Sequence, residues 1–467
     1  MIDTYHALVG ATILVGLLAM LIAYVRSRDS FHPLIIACPI ALFFYGYLPL
    51  ELEAEGTLTW YVSPSGLVTA HTVLLVMFAA FCLGGLLGSG NARWSPANPV
   101  IPLAPQAGER LFSAGLRIGS IGIGAWLLMI AAAGGFTEVY GVSYGGGELH
   151  ASGWVRETNN LYLVGLLLCL ASGALARSGT HRYLVAAAFA LPHVIHALLG
   201  ARRGPTFVVV VLLYIGWHAF RNRRPRLLTS LAGGLALGTF LIFLVGNRDF
   251  IYFGSREKLE FDLSRTYVFR FGTGNEYVVA SGLIVTADRR QQFGWGVSFL
   301  EQILLRPIPK ELLPNKYEIL PKHNVGREDI ASAIGWAAAE GSAPTLFGQL
   351  FTEFGWAAAL ASLLIGWAYG WSWRRSITTP SVGWQVFYVL LVQGLLHLLA
   401  QDFWAMAVPF LLMFVPAWLG LRWAVERPFR PLPPAARRPL APPGPRHPRL
   451  TPPRSGKLAL RDPGGAA

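Results

Sequence analysis

The sequence predicts an all-α polytopic membrane protein: a bundle of about eleven helical spans, with one large loop on the non-cytoplasmic side. Three observations predict it. Apolar residue types make up 54% of the 467 residues and charged ones only 13%, where a soluble domain carries about a quarter. Mean hydropathy is +0.47. Apolar runs of roughly bilayer-spanning length recur along the chain, and the short loops between them alternate in charge.

The runs fall near Tyr5–Val25, Pro33–Leu50, Gly66–Gly88, Ser113–Gly134, Asn159–Ala176 and Tyr183–Gly200. They continue near Pro205–Phe220, Leu228–Val245, Leu346–Trp371, Val382–Leu399 and Phe403–Leu421. The first has its arginines after it and no small-residue cleavage site, which reads as a retained anchor. The seventh is short and could tilt into its neighbours. The chain thus divides into spans 1–8 (1–245), a loop (246–345), spans 9–11 (346–426) and a tail (427–467).

Charge sets the expected orientation. Loops after odd spans carry Arg26, Arg28, Arg93, Arg110, Arg177, Arg182, Arg221, Arg223, Arg224, Arg226, Arg374 and Arg375, against Asp29 and Glu109. The alternate short loops hold Glu51, Glu53, Glu55, Glu138, Glu148, Glu157 and Asp402, against Arg156, Arg202 and Arg203. Positive residues stay inside, so the N-terminus is expected outside and the C-terminus in the cytoplasm. The tail is rich in Pro and Arg, with nine basic residues and one acid. It lacks the apolar surface to fold and is expected to be disordered near anionic headgroups. Topology accounts for the basic excess, so no nucleic-acid partner is implied. Cys38, Cys82 and Cys169 lie within spans without metal-ligand spacing, and read as small buried apolar residues.

Two features stand against this background. GARRGP at 200–205 places Arg202 and Arg203 at the outer junction of spans 6 and 7, opposing the charge bias, in a turn shaped by Gly200, Gly204 and Pro205. Guanidinium forks bind phosphate oxygens bidentately, and a lipid-linked diphosphate presents its phosphates at this depth. Snorkelling to headgroups explains the pair equally well. The second feature is the long loop, whose 12 basic and 12 acidic residues balance between Gly246 and Pro344. Its apolar stretches Tyr277–Thr286 and Val297–Leu305 are expected to lie as amphipathic or interfacial helices.

Within the loop, GWGVSFLEQILLRPIPKELLPNK at 294–316, followed by GSAPTLFGQLFTEFG at 341–355, resembles the bacterial oligosaccharide repeat-unit polymerases of the O-antigen polymerase type. The matching positions are Gly296 and Ser298, then Ile308, Pro309 and Lys310, then Leu313, Pro314 and Lys316. The last motif maps to Pro344, Thr345, Gly348, Gln349, Phe351, Phe354 and Gly355. GARRG is similar to the family's Gly-Ser-Arg-Gly element, with Arg203 as its arginine, and 271–284 is similar to the segment preceding the loop motif. The likeness covers roughly residues 195–375. Lys310 replaces a usual Arg, Leu313 a usual Trp, and Gln349 a usual Glu, which removes a carboxylate there.

The resemblance implies an integral-membrane, GT-C-like glycosyltransferase of the bacterial inner membrane. Its implied partners are undecaprenyl-diphosphate-linked oligosaccharides, membrane lipid and a chain-length regulator, with no cofactor. Such a reaction expels a lipid diphosphate whose charge needs stabilising. The available cations are Arg202, Arg203, Arg265, Arg270, Arg306, Lys310 and Lys316, with Arg203 first because motif and location agree. No metal-ligand cluster is visible in the sequence, so arginines are expected to do this without a metal. Glu353 and His323 are the foremost base candidates, with Glu276 and Glu340 beside them; Glu353 could instead complement a helix N-terminus.

Glu51, Glu53 and Glu55 are similar to the acidic first loop of other membrane glycosyltransferases, and would face one way in an extended segment, although charge bias alone produces such a loop. His193 and His196 could line a cavity beneath the arginines. Gln393, His397 and Asp402 read as interhelical contacts. An O-antigen ligase, a lipid-linked sugar flippase and a non-enzymatic assembly protein are the competing classes. A flippase would show paired repeats and midplane charges, and the sequence has neither.

Overall fold

A computed structural model describes residues 2–96, 105–142, 153–175, 179–247, 250–256, 276–305, 308, 312–315, 330–336, 343–379 and 381–425. The expected tail falls outside them. Every regular element among these residues is helical. Eleven helices are long and apolar enough to cross a membrane: Asp3–Ser27, Pro33–Ala54, Pro64–Ser89, Gln106–Ala132, Val155–Leu175, Thr180–Leu199, Arg203–Phe220, Leu227–Leu244, Thr345–Thr378, Val382–Ala400 and Phe403–Val425. They are numbered spans 1–11 below.

The bundle is organised around spans 3 and 9, which pack against each other most extensively. Glycine explains why. Gly84 and Gly88 on span 3, and Gly366 and Gly370 on span 9, each face a backbone carbonyl of the partner helix, where a Cβ would collide. Two small-x-x-x-small stripes thus let the backbones touch, which is how membrane helices gain packing where lipid is as apolar as leucine. Gly84→Val is expected to force the helices apart at a cost of about 1–3 kcal/mol, as overpacking does. Thermal unfolding of the purified protein in detergent should register it, while the same change at Gly10, whose Cβ meets nothing within 4 Å, should leave the midpoint unmoved.

The loops gather at two ends. At one end, the junctions after spans 1, 3 and 7 interlock: Arg93 Nε donates to the Arg26 carbonyl at 3.1 Å, and Trp94 Nε1 to Asn222 Oδ1 at 3.1 Å. At the centre of that end, Asp29 Oδ1 accepts from Arg224 Nε at 2.7 Å and Oδ2 from Trp373 Nε1 at 2.9 Å. The opposite end carries the turn between spans 6 and 7 and the chain that follows span 8.

That following chain does not behave throughout as an interfacial layer. Glu276–Arg290 is a helix whose residues 276–285 are all buried, packed against spans 3 and 9. The run YVVASGLIV is apolar on every face, and a helix apolar all round is driven into the core rather than onto a surface. Gly348 makes room for it, since a Cβ there would lie 3.2 Å from Ala280 Cβ. The second stretch does stay at the periphery: Leu300, Ile303 and Leu304 are exposed on a helical turn that widens into a π-turn.

Span 9 is broken. Thr345–Phe354 ends at Gly355, whose φ is +55°, and Ala358–Thr378 continues after a 3-10 turn. Gly355 suits that backbone because it carries no Cβ, and the Phe293 ring closes over the same spot.

Candidate functional site

Span 6 ends where Gly200 N–H reaches back to the His196 carbonyl at 3.1 Å. Ala201 then adopts φ +45°, a left-handed turn that reverses the chain within three residues. Arg202 caps the next helix in extended geometry, and Arg203 opens it. Pro205 suits this first turn, because its missing N–H has no intrahelical acceptor there. The positive end of an 18-residue helix therefore begins with two consecutive arginines, one at its cap and one at its first position.

Arg203 forms an ion pair with Glu276, the first residue of the buried loop helix. The carboxylate is 2% exposed and the guanidinium 30%. The Phe44 ring lies under the same guanidinium, 5.7 Å from its centre. Gly204 abuts His397 so closely that a Cβ would sit 2.6 Å from Nε2. Arg202 is exposed, and its charge is felt at Tyr140. Burial raises the Tyr140 phenol, while a Trp126 hydrogen bond and the Arg202 charge oppose the rise. His196 stacks edge-on against Tyr140 at 6.1 Å, and His193 Nδ1 meets Tyr162 Oη at 2.7 Å. One end of the bundle thus assembles two arginines, three histidines, two tyrosines and a buried carboxylate. Such a set can grip an anion, orient it on a fork, and hold or pass a proton beside it.

Glu353 lies where span 9 meets the turn at Gly296. It is fully buried, and its Oε2 accepts the Gly296 N–H at 3.0 Å. Its carbonyl accepts Trp295 N–H at 2.6 Å, and the Thr352 carbonyl accepts Gly294 N–H at 3.0 Å. The carboxylate fastens the left-handed turn at Trp295 and Gly296 onto span 9 through Oε2. It is also not the helix-start carboxylate considered above, because it sits one residue from that helix's end. The Gly296 and Phe354–Gly355 motifs therefore pack together, with Phe299 and Phe354 rings 5.7 Å apart. Gln349 Oε1 caps span 11 by accepting Phe403 N–H at 2.9 Å. Pro344 precedes the first helix of span 9, and Pro314 is exposed on a short turn. Arg265, Arg270, Arg306, Pro309, Lys310, Lys316, His323 and Glu340 lie outside the described residues.

The acidic first loop is also rearranged. Span 2 runs through a π-turn at Phe43–Tyr47 and stays helical to Ala54, so Glu51 and Glu53 are on a helix, not on one side of an extended strand. His6 Nε2 donates to Glu53 Oε2 at 2.7 Å, beside a cavity of about 120 Å³ lined by Tyr5, Glu53, Leu58 and Leu67. A polar chain enters the bundle from there. Tyr5 and Tyr277 hydroxyls are 2.9 Å apart, Tyr277 Oη is 3.1 Å from His71 Nδ1, and His71 Nε2 is 3.1 Å from Thr12 Oγ1. Tyr277 follows Glu276, so one turn of the loop helix touches both networks.

Among the described residues, no three His, Cys, Asp or Glu side chains converge as ligands of one ion. Cys38 and Cys82 sulfurs are 3.9 Å apart between spans 2 and 3, both as free thiols. The fold and the site define an all-helical, multi-pass membrane protein with an arginine–carboxylate centre where a buried loop helix meets the start of span 7. No protein-family model, curated protein or solved structure matches the chain.

Proposed function

We propose that this protein is an integral-membrane glycosyltransferase of the bacterial inner membrane that polymerises undecaprenyl-diphosphate-linked oligosaccharide repeat units on the extracytoplasmic side. The observation that carries the reading is the placement of Arg203. Its guanidinium opens a membrane helix, beside a second arginine, at the end of the bundle to which the long loop returns. That position suits a diphosphate held by a polyprenyl chain in the bilayer.

In the reaction, a hydroxyl of the incoming repeat unit attacks C1 of the growing chain's terminal sugar. The C1–O bond to the diphosphate breaks, the hydroxyl proton passes to a base, and the lipid diphosphate leaves carrying the bonding electrons. Arg203 and Arg202 stabilise the charge that grows on the leaving oxygen, the kind of preorganised electrostatic contact that contributes most to such steps. A chain-length regulator is the proposed protein partner.

The test is the surface-glycan profile of a deletion strain of a host with no second polymerase. Single repeat units on the carrier or acceptor, restored to long chains by the wild-type gene, are the expected result. Long polymer that accumulates on the carrier without reaching its acceptor would assign the protein to ligation instead. Repeat units trapped on the cytoplasmic face would assign it to transport.

A further inference from the structure

The cation best placed for a diphosphate already holds an anion. Glu276 supplies it, from the loop helix rather than from a membrane span, and the pair spans 73 residues of sequence. The second oxygen, Oε2, is buried and accepts no hydrogen bond from any described residue. Such a carboxylate is tied to the protein largely through one guanidinium. Removing either partner of a buried pair leaves an uncompensated charge in a poorly solvated site, so neither partner's neighbourhood is neutral toward a third charged group.

A phosphate group competes well for this arginine, since it offers more negative charge and several acceptor oxygens to the fork. Arg203 is the more exposed partner, and Glu276 is almost wholly covered. A ligand arriving from the open side therefore reaches the guanidinium first. Once phosphate oxygens take the guanidinium, Glu276 loses its cation and stays buried beside a new negative charge. Both changes favour the protonated carboxyl, and the acceptor hydroxyl is the proton source that the reaction supplies.

We propose that Glu276 is the general base of the transfer, masked by Arg203 until the donor diphosphate displaces it. This rests on the lipid-diphosphate reading above. In the step, the acceptor hydroxyl gives its proton to a Glu276 oxygen as its own oxygen bonds to C1. The C1–O bond to the diphosphate breaks, and Arg203 keeps the departing diphosphate. The base is thus unmasked only with a donor in place, and in the empty site the carboxylate keeps its compensating cation.

The experiment uses the full chain in lipid nanodiscs, with undecaprenyl diphosphate as the binding probe and polymer formation from the host's lipid-linked repeat unit as the activity. Glu276→Gln removes the competing charge with little change of shape. It is expected to bind the probe about tenfold more tightly than wild type, because no conformer is lost to the internal pair. It should also form polymer roughly a hundredfold or more slowly, the loss typical of a missing general base. Glu276→Asp should recover part of the rate.

Tighter binding with lost turnover is a combination that structural damage does not produce. Unchanged or weaker probe binding by a folded Glu276→Gln protein, or wild-type polymer from it, overturns the proposal. If wild type and Arg203→Ala both fail to bind the probe, the lipid-diphosphate reading itself is overturned, and the base assignment goes with it.

Discussion

Arg203→Ala, produced at wild-type membrane levels, is expected to leave single repeat units where wild type makes long chains. Loss of one preorganised donor to a developing oxyanion slows comparable reactions by roughly 10²–10³-fold, enough to empty the polymer ladder on a gel. The substitution also strands Glu276, which is 2% exposed, and so costs stability, though less than breaking a fully buried pair because the guanidinium is 30% exposed. Lost polymer alone therefore has two causes to separate. The double variant Arg203→Ala/Glu276→Gln removes the stranded charge and should recover most of the thermal stability while remaining inactive. Arg203→Lys keeps the charge without the fork and should fall between the two. If the double variant regains both stability and polymer, Arg203 serves folding and the diphosphate reading loses its main support.

The spans were readable because bilayer thickness imposes one length on every apolar run. Pro33, Val382 and Phe403 begin their helices at the residues that the hydropathy pattern selects. Span 4 starts at Gln106, seven residues before Ser113, because its first turns are polar and amphipathic, and composition does not separate a polar helix start from a loop. The loop helix Glu276–Arg290 is buried where its sequence suggests an amphipathic or interfacial one, since burial depends on what surrounds a segment, and 15 residues are too few to announce a span. Arg203 was visible from its motif and its defiance of the charge bias. Its partner was not, because a contact between residues 203 and 276 is a property of the packed bundle.

Glu353 shows the same. A carboxylate next to a motif glycine was visible in the sequence, but its bond to the distant Gly296 N–H is a property of the packed bundle. The glycine pairs Gly84/Gly88 and Gly366/Gly370 were not read from the sequence as a packing signal. They gain meaning only when two helices are seen to present them to each other.

Asp29→Ala is expected to produce the largest loss of stability in the bundle. Asp29 is 0% exposed and holds three elements at once. Its Oδ1 accepts from Arg224 at the junction of spans 7 and 8 and from the Phe31 N–H at 2.9 Å, and its Oδ2 from Trp373 on span 9. Arg224 is itself 8% exposed and lies over the Phe31 and Trp94 rings at 5.0 and 5.5 Å. Without the carboxylate, a guanidinium remains buried among aromatic rings, and an indole N–H loses its acceptor.

The cost should reach about 3–5 kcal/mol, seen as a lower unfolding midpoint in detergent and as new protease sensitivity in the loops after spans 1 and 7. Asp29→Asn keeps an acceptor for Trp373 but not the charge, and should lie between. Replacing both partners, as Asp29→Leu/Arg224→Met, should recover much of the loss, because an apolar pair of similar size carries no desolvation penalty. Equal midpoints for wild type and Asp29→Ala would mean that the junction is held by helix packing alone. A double variant no better than the single one would mean that the three-way hydrogen bonding, and not the charge, fixes these spans together.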